Sequence, residues 1–460
     1  MKLIGDKKFY SMTMRVAIPI IIQNGITNLV GMLDNIMIGQ TGTEQMTGVA
    51  IVNQLMFVFN IFVFGIISGA GIFGAQYYGK GDHEGIRNTF RFKLISCFII
   101  MTAGVILFLK CGSGLISIYL HEGGSAGDTA AALGYGLTYI KIMVIGMVPF
   151  TISQIYSSTL RETGETVMPM AAGVCAVAVN TALNYILIFG KFGAPAMGVA
   201  GAAAATVISR FCEAALIIIW THIKGEKYKF ICGVYKTLKV PAALVKQIII
   251  KGSPLMVNEA LWSMGMATML QCYSIRGLDV VAAMNISTTV SNVFNVIFIA
   301  MGSAIAIIIG QLLGAGKMEQ AMDRAAKLIF FSVICSVAAG VVMISLSPLF
   351  PRIYNTTEDV RALAVKFIII AAIFMPAYAF TNASYFTIRS GGKTIVTFLF
   401  DSVFVWAVSI PLAMCLTRLT LWNIVLIYFI CQSAEIVKCV IGFILVKKGV
   451  WLANITVNNS

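Results

Sequence analysis

Five acidic residues lie within long apolar stretches of this chain: Asp34, Glu213, Glu259, Asp401 and Glu435. A charge at bilayer depth costs about 2.5–3.5 kcal/mol on the gentlest scale, so such a group normally faces a cavity or a partner. Asp34 has no basic residue within a helical turn. A lone carboxylate in a low-dielectric site can hold a proton or a monovalent cation and release it when water enters. The competing reading makes Asp34 a helix-end residue reaching the headgroups, because Gly39 follows closely.

Asn180 and Asn184 lie one helical turn apart and share a face. Their amide oxygens can complete an oxygen shell around a sodium ion or bind Asp34; the alternative is a polar packing pair between helices. Glu259 follows Pro254, which frees a backbone carbonyl nearby and so favours cation coordination. Asp401 is a second acid in the same half of the chain. Glu213 and Glu435 look different. Arg210 precedes the first by three residues and Lys438 follows the second by three, spacings that predict intrahelical ion pairs with a structural role.

These residues need helices to hold them. The chain has 460 residues, 58% hydrophobic and only 11% charged, with a mean hydropathy of +0.89. Soluble chains carry about 25% charged residues, so this one is expected to be an integral membrane protein. Twelve apolar stretches can span, from 14–39 to 421–446; the third, 94–109, is the shortest. The basic start, MKLIGDKKFYSMTMR, runs directly into the first span, and no cleavable signal peptide is expected. The net charge of +14 does not point to nucleic acid. Most of the 33 Lys and Arg fall on one side of a twelve-span layout, the positive-inside bias that places both termini in the cytoplasm.

The ten cysteines are scattered without a Cys-x-x-Cys pair, and His83, His121 and His222 lie in or beside loops. Neither a disulfide framework nor a metal centre is expected. Gly-x-Ser-x-Gly, His-Glu-x-x-His and the phosphate-binding Gly-x-x-x-x-Gly-Lys-Ser/Thr are all absent, which argues against an enzyme and against direct use of ATP.

The chain also repeats itself. GAQYYGKGD at 74–82 and IGQLLGAGK at 309–317 share a Gln-x-x-Gly-x-Gly pattern. Pro19/Pro254, Gly42/Gly277, Asn60/Asn295, Gln76/Gln311, Gly79/Gly314 and Gly81/Gly316 all recur at a constant offset of 235 residues. All four glycines of the corner motif are expected to end helices where positive φ is needed. The expected fold is all-α, with twelve transmembrane helices in two six-helix lobes related by a pseudo-two-fold axis along the membrane normal. The boundaries are 1–222 for the amino-terminal lobe, 223–240 for a basic cytoplasmic linker and 241–460 for the carboxy-terminal lobe.

In their order, MLDNIMIGQTG, QYYGKGD, NTALNYILIFG, SPLMVNEALWSMG, the run from NISTTV to GQLLGAG, and RSGGKT resemble the multidrug and toxic compound extrusion family. The major facilitators fit less well, because YGKGDHEGIRNTFRFK lacks their characteristic loop pattern. The resemblance places Asp34 at the family's first-helix acid, which takes part in an amino-lobe cation or proton site, and adds Thr206 as a further ligand. Many family members carry an acid where Asn184 stands, so a sodium site at Asp34, Asn180 and Asn184 lacks one charge here. The resemblance makes Glu259 a carboxy-lobe coupling or substrate residue.

Two functions follow. One is a secondary antiporter that exports amphipathic, often cationic, small molecules in exchange for inward protons or sodium ions. The other is a flippase for a lipid-linked precursor, from a related superfamily. The expected setting is the plasma membrane, with a monomeric chain in the lipid bilayer, no nucleic-acid partner and no cofactor beyond the coupling ion. Met256, Trp262, Met264 and Met266 are candidates for an adaptable apolar lining.

Overall fold

A computed structural model describes residues 3–120, 126–354 and 356–457. Lys2 and His121 lie outside the described residues. Within them, twelve long helices follow one another: α1 Lys7–Gly39, α2 Thr43–Lys80, α3 His83–Leu120, α4 Ala126–Glu162, α5 Val167–Phe189 and α6 Gly198–Ile223. Then come α7 Ala242–Ser274, α8 Leu278–Gly314, α9 Met318–Leu346, α10 Glu358–Ser390, α11 Thr394–Leu419 and α12 Ile424–Lys447. No strand occurs among the described residues.

Among the described residues, eleven of these helices are long and apolar enough to cross a membrane on their own terms. The exception is α7, expected as a span. Lys246, Lys251, Asn258, Glu259 and Gln271 dilute its apolar face. The short third stretch belongs to a 38-residue helix, because α3 runs on past Lys110. The α11 helix opens into π turns at Leu399–Val403 and Val405–Ser409. Pro411 follows at the start of its last segment; it has no N–H to donate, and a widened turn accommodates that loss.

The described chain forms two compact units. One comprises Met1–Ile21, Ala75–Gly81 and Lys246–Ser460; the other comprises Ile22–Gly74 and Asp82–Val245. We call them the carboxy unit and the amino unit. In the carboxy unit, Phe9, Val16, Ala17 and Ile20 of α1 are buried with Ala300, Ala304, Ile305 and Ile309 of α8. Each of the larger side chains here contributes roughly 1.5–3 kcal/mol. A second cluster joins Tyr273, Phe367, Phe374 and Tyr428 across α7, α10 and α12.

The corner glycines divide into two kinds. Gly81 and Gly316 have φ of +78° and +73° and end their helices as expected. Gly79 and Gly314 do not. They lie within helices, and a Cβ at Gly79 would collide with the backbone of Gln311, while one at Gly314 would collide with that of Gln76. They are glycines because two helix ends cross there without room for a side chain.

The amino unit packs α3, α4, α5 and α6 together. The basic segment after α6 is folded onto it. Arg91 Nε donates to Val234 O at 2.9 Å and Arg87 Nε to Phe230 O at 3.3 Å. Phe230, Ile231 and Val234 are buried. Tyr228 donates to Glu165 Oε2 at 2.7 Å, and Lys227 donates to the same oxygen at 3.3 Å. Burial pushes the Glu165 carboxyl up, but these bonds outweigh it and hold the group below its ordinary value. Burial pushes Tyr228 up to about 12.

Candidate functional site

In the amino unit, the four residues singled out from the sequence come together from three helices. Asp34 lies near the end of α1. Asn184 on α5 donates through Nδ2 to Asp34 Oδ1 at 2.7 Å and to Asn180 Oδ1 at 3.2 Å. Asn180 in turn donates to Thr206 Oγ1 on α6 at 3.3 Å. Turning the Asn180 amide end for end puts its nitrogen 3.1 and 3.2 Å from the two Asp34 oxygens and lets its oxygen accept from Thr206. Either orientation keeps one network.

The sequence allows this locally. The stretch NTALN places both amides on the buried face of α5, and the small residues Gly201, Ala202, Ala203 and Ala205 let α6 approach closely. No Lys or Arg forms an ion pair with Asp34 among the described residues. Asn184 is 1% exposed, and its Oδ1 has no hydrogen-bond donor within reach. A buried carbonyl left so costs about 1–3 kcal/mol. Carboxylate, amide and hydroxyl oxygens therefore converge with unused lone pairs, a donor set that suits a proton or a hard monovalent cation.

The carboxy unit is built otherwise. Asp401, on the first π turn of α11, takes a 2.6 Å ion pair from Lys438 on α12. Asn258, beside Glu259 on α7, donates to Asp401 Oδ2 at 3.1 Å. Its Oδ1 accepts from Ser402 Oγ at 2.7 Å. Glu259 sits in the field of Arg389 and Asp401.

Of the two expected intrahelical pairs, Lys438–Glu435 forms as the longer of two bridges made by Lys438, while Arg210 is the strongest opposite charge on Glu213 without an ion pair among the described contacts. Lys438 reaches Glu435 only at 3.9 Å, and its main partner is on another helix. The Arg210 guanidinium stacks 4.9 Å above the Phe150 ring, and Glu213 sits in the combined field of Arg210 and Arg161. Spacing of three residues permits contact, but helix-to-helix packing offered better partners. Trp262, Met264 and Met266 stay exposed on α7.

Sequence reasoning missed three features. Asn258 is the hub of the carboxy network; its match to Gln23 at the repeat offset was the available signal, since Gln23 accepts from Arg161 at 2.7 Å. Lys93 is fully buried and bridges Glu162 at 2.6 Å, with Thr159 at 3.1 Å. Gln76 is also fully buried. It donates to Ser390 O at 2.9 Å and Ala453 O at 3.2 Å, and accepts from Ile455 N at 2.9 Å.

The family model described as MatE matches residues 19–186 and again residues 254–417. The chain belongs to the MatE family. The double match reproduces the internal repeat at its own offset. Among proteins similar to this MatE chain is the probable multidrug resistance protein NorM of Thermotoga maritima, 25% identical over 408 residues, covering 88% of this chain and 85% of that protein. The probable multidrug resistance protein YoeA of Bacillus subtilis is 22% identical, with 88% and 86% covered. The fold is similar to a solved outward-facing multidrug resistance MATE family transporter of the MOP superfamily, with a TM-score of 0.85 at 18% identity and 97% of each chain covered. It is also similar to the crystal structure of a MATE protein in the straight conformation, with a TM-score of 0.86, 18% identity and 97% of each chain covered. MatE membership makes this a two-lobed, all-helical, multi-pass membrane transporter for small molecules, not an enzyme.

Proposed function

We propose that the chain is a secondary antiporter that exports amphipathic, often cationic, compounds in exchange for inward protons or sodium ions. The observation that carries this is Asp34, an acid with no basic ion-pair partner among the described residues, caged by Asn184 and near Asn180 and Thr206. Antiport needs negative coupling between ion and drug, and that coupling is reciprocal. Ionised, Asp34 attracts a cationic drug; protonated or bound to sodium, it loses that attraction. Asn180, Asn184 and Thr206 stabilise either state without adding charge. Glu259 supplies a second negative field for cationic substrates, and Asp401 anchors the network beneath it. The protein acts as a plasma-membrane monomer with both termini cytoplasmic, and it takes no cofactor other than the coupling ion.

The test is dye efflux from cells lacking their own pumps, with the proton and sodium gradients collapsed in turn. Loss of efflux on collapsing one gradient supports the reading and names the ion. Efflux that ignores both gradients overturns it.

A further inference from the structure

We propose that Lys438 is a tethered counter-cation, whose ammonium fills the place a free monovalent ion would take between Asp401 and Glu435. Ion coupling is thereby confined to the amino unit. This deepens the antiport reading and rests on it only for the word coupling.

The geometry is specific. Lys438 is 7% exposed. Its Nζ lies 2.6 Å from Asp401 Oδ1, 3.9 Å from Glu435 Oε1 and 5.3 Å from the centroid of the Phe400 ring. Neutral donors also hold these acids. Asn258 takes Asp401 Oδ2 at 3.1 Å, and Thr381 donates at 2.5 Å to Glu435 Oε1, the oxygen that faces Lys438. The other charged or titratable groups around the cluster are Glu259, Arg389, Tyr385, Tyr378 and Cys439. Two carboxylates and an aromatic face surround one ammonium, and an amide and a hydroxyl hold those carboxylates in place. That is the surrounding a small monovalent cation would ask for, and it is already occupied by a charge the chain cannot release.

A lysine is a compact point charge on a flexible stem, so it can stand in for such an ion. A second cation entering would meet Lys438 at close range and be repelled. Asp34 in the amino unit has the opposite arrangement: acid, amides and hydroxyl, with no ion-paired ammonium among the described residues. The two networks draw on corresponding helices of the two halves, α1, α5 and α6 against α7, α11 and α12, though not on corresponding residues, and they differ by one fixed charge. Removing that charge without removing the acids should convert the carboxy network into an ion site. Breaking a buried pair from the cationic side leaves an uncompensated carboxylate, which seeks a new cation.

The experiment uses the purified full-length protein in lipid nanodiscs. Thermal unfolding is followed in sodium chloride against choline chloride at constant ionic strength. The variants are Asp34→Asn, Asp34→Asn with Lys438→Gln, and Asp34→Asn with Lys438→Arg. We expect no sodium-specific shift in Asp34→Asn. The Lys438→Gln double variant should show a sodium-specific rise in Tm of about 2 °C, the size for one site at roughly ten times its Kd. The Lys438→Arg double variant should show none. Sodium-specific stabilisation in Asp34→Asn with Lys438 intact overturns the proposal, as does a folded Lys438→Gln double variant that ignores sodium. If that variant does not fold, Asp34→Asn with Lys438→Ala decides the matter by rescue. Methylammonium chloride should raise its Tm where choline chloride does not, and equal Tm in the two salts overturns the proposal. These readouts need no transport, so failure of gradient-driven efflux leaves them interpretable.

Discussion

Gly314 packs against the backbone of Gln76 so closely that a Cβ at 314 would collide with it, and Gly79 packs in the same way against Gln311. The contact is reciprocal because the same motif is used from both sides. Gly79→Ala and Gly314→Ala should each destabilise the protein by about 1–3 kcal/mol or more, since backbone, not a flexible side chain, is the obstacle. Gly81→Ala meets open space and should lose only the cost of positive φ, about 1–2 kcal/mol. Thermal unfolding of the three variants checks this; equal losses at Gly79 and Gly81 would contradict the close-approach account.

Asp34→Asn should abolish gradient-driven efflux while leaving insertion and apolar drug contacts in place. Asn184→Ala should weaken coupling less, because Asn180 can turn its amide onto Asp34. Asn184→Asp adds a second carboxylate and should raise sodium-specific stabilisation. Wild-type efflux from Asp34→Asn, measured with drug binding by calorimetry, would make Asp34 structural.

Gln76→Leu keeps bulk but removes three hydrogen bonds to Ser390, Ala453 and Ile455. Buried backbone groups would be left unmet, at about 1–3 kcal/mol. The segment after α12 should then become accessible. Limited proteolysis should trim residues 450–457 faster in Gln76→Leu than in the wild type; unchanged trimming would show that buried Trp451 and the bonds of Asn454 to Gly314 and of Lys80 to Thr456 suffice to hold the segment.

The docked segment after α6 should loosen in acid. Glu165 titrates below its ordinary value in the folded state, held there by Tyr228 and Lys227. Its contribution is therefore complete above the ordinary carboxylate range and lost as pH falls through the depressed folded value. The Trp220 ring lies 5.5 Å from that of Tyr228, tilted by 41°, and reports the event. Trp220 fluorescence should change between about pH 5 and pH 3 in the wild type, and Glu165→Gln should remove that limb. An identical acid limb in both proteins would assign it elsewhere.

Composition and repetition determined much. A chain with 11% charge and twelve apolar stretches has only helices available to it in lipid, because every backbone group must be satisfied within its own segment. The offset between Gln76 and Gln311 disclosed two related halves before any helix was placed. The meeting of Asp34 with Asn180 and Asn184 was legible because lone polar groups in apolar runs must find each other, whereas Thr206 was legible only through the family resemblance. Tertiary structure alone decided which charges pair. Lys438 lies three residues from Glu435 yet binds Asp401 more closely, and Lys93 is buried against Glu162 on another helix. Helical spacing fixes which side chains share a face, but interhelical packing sets which opposite charge lies nearest and how dry the space between them is. Coulomb energy varies with both, so partner choice is a property of the assembled bundle.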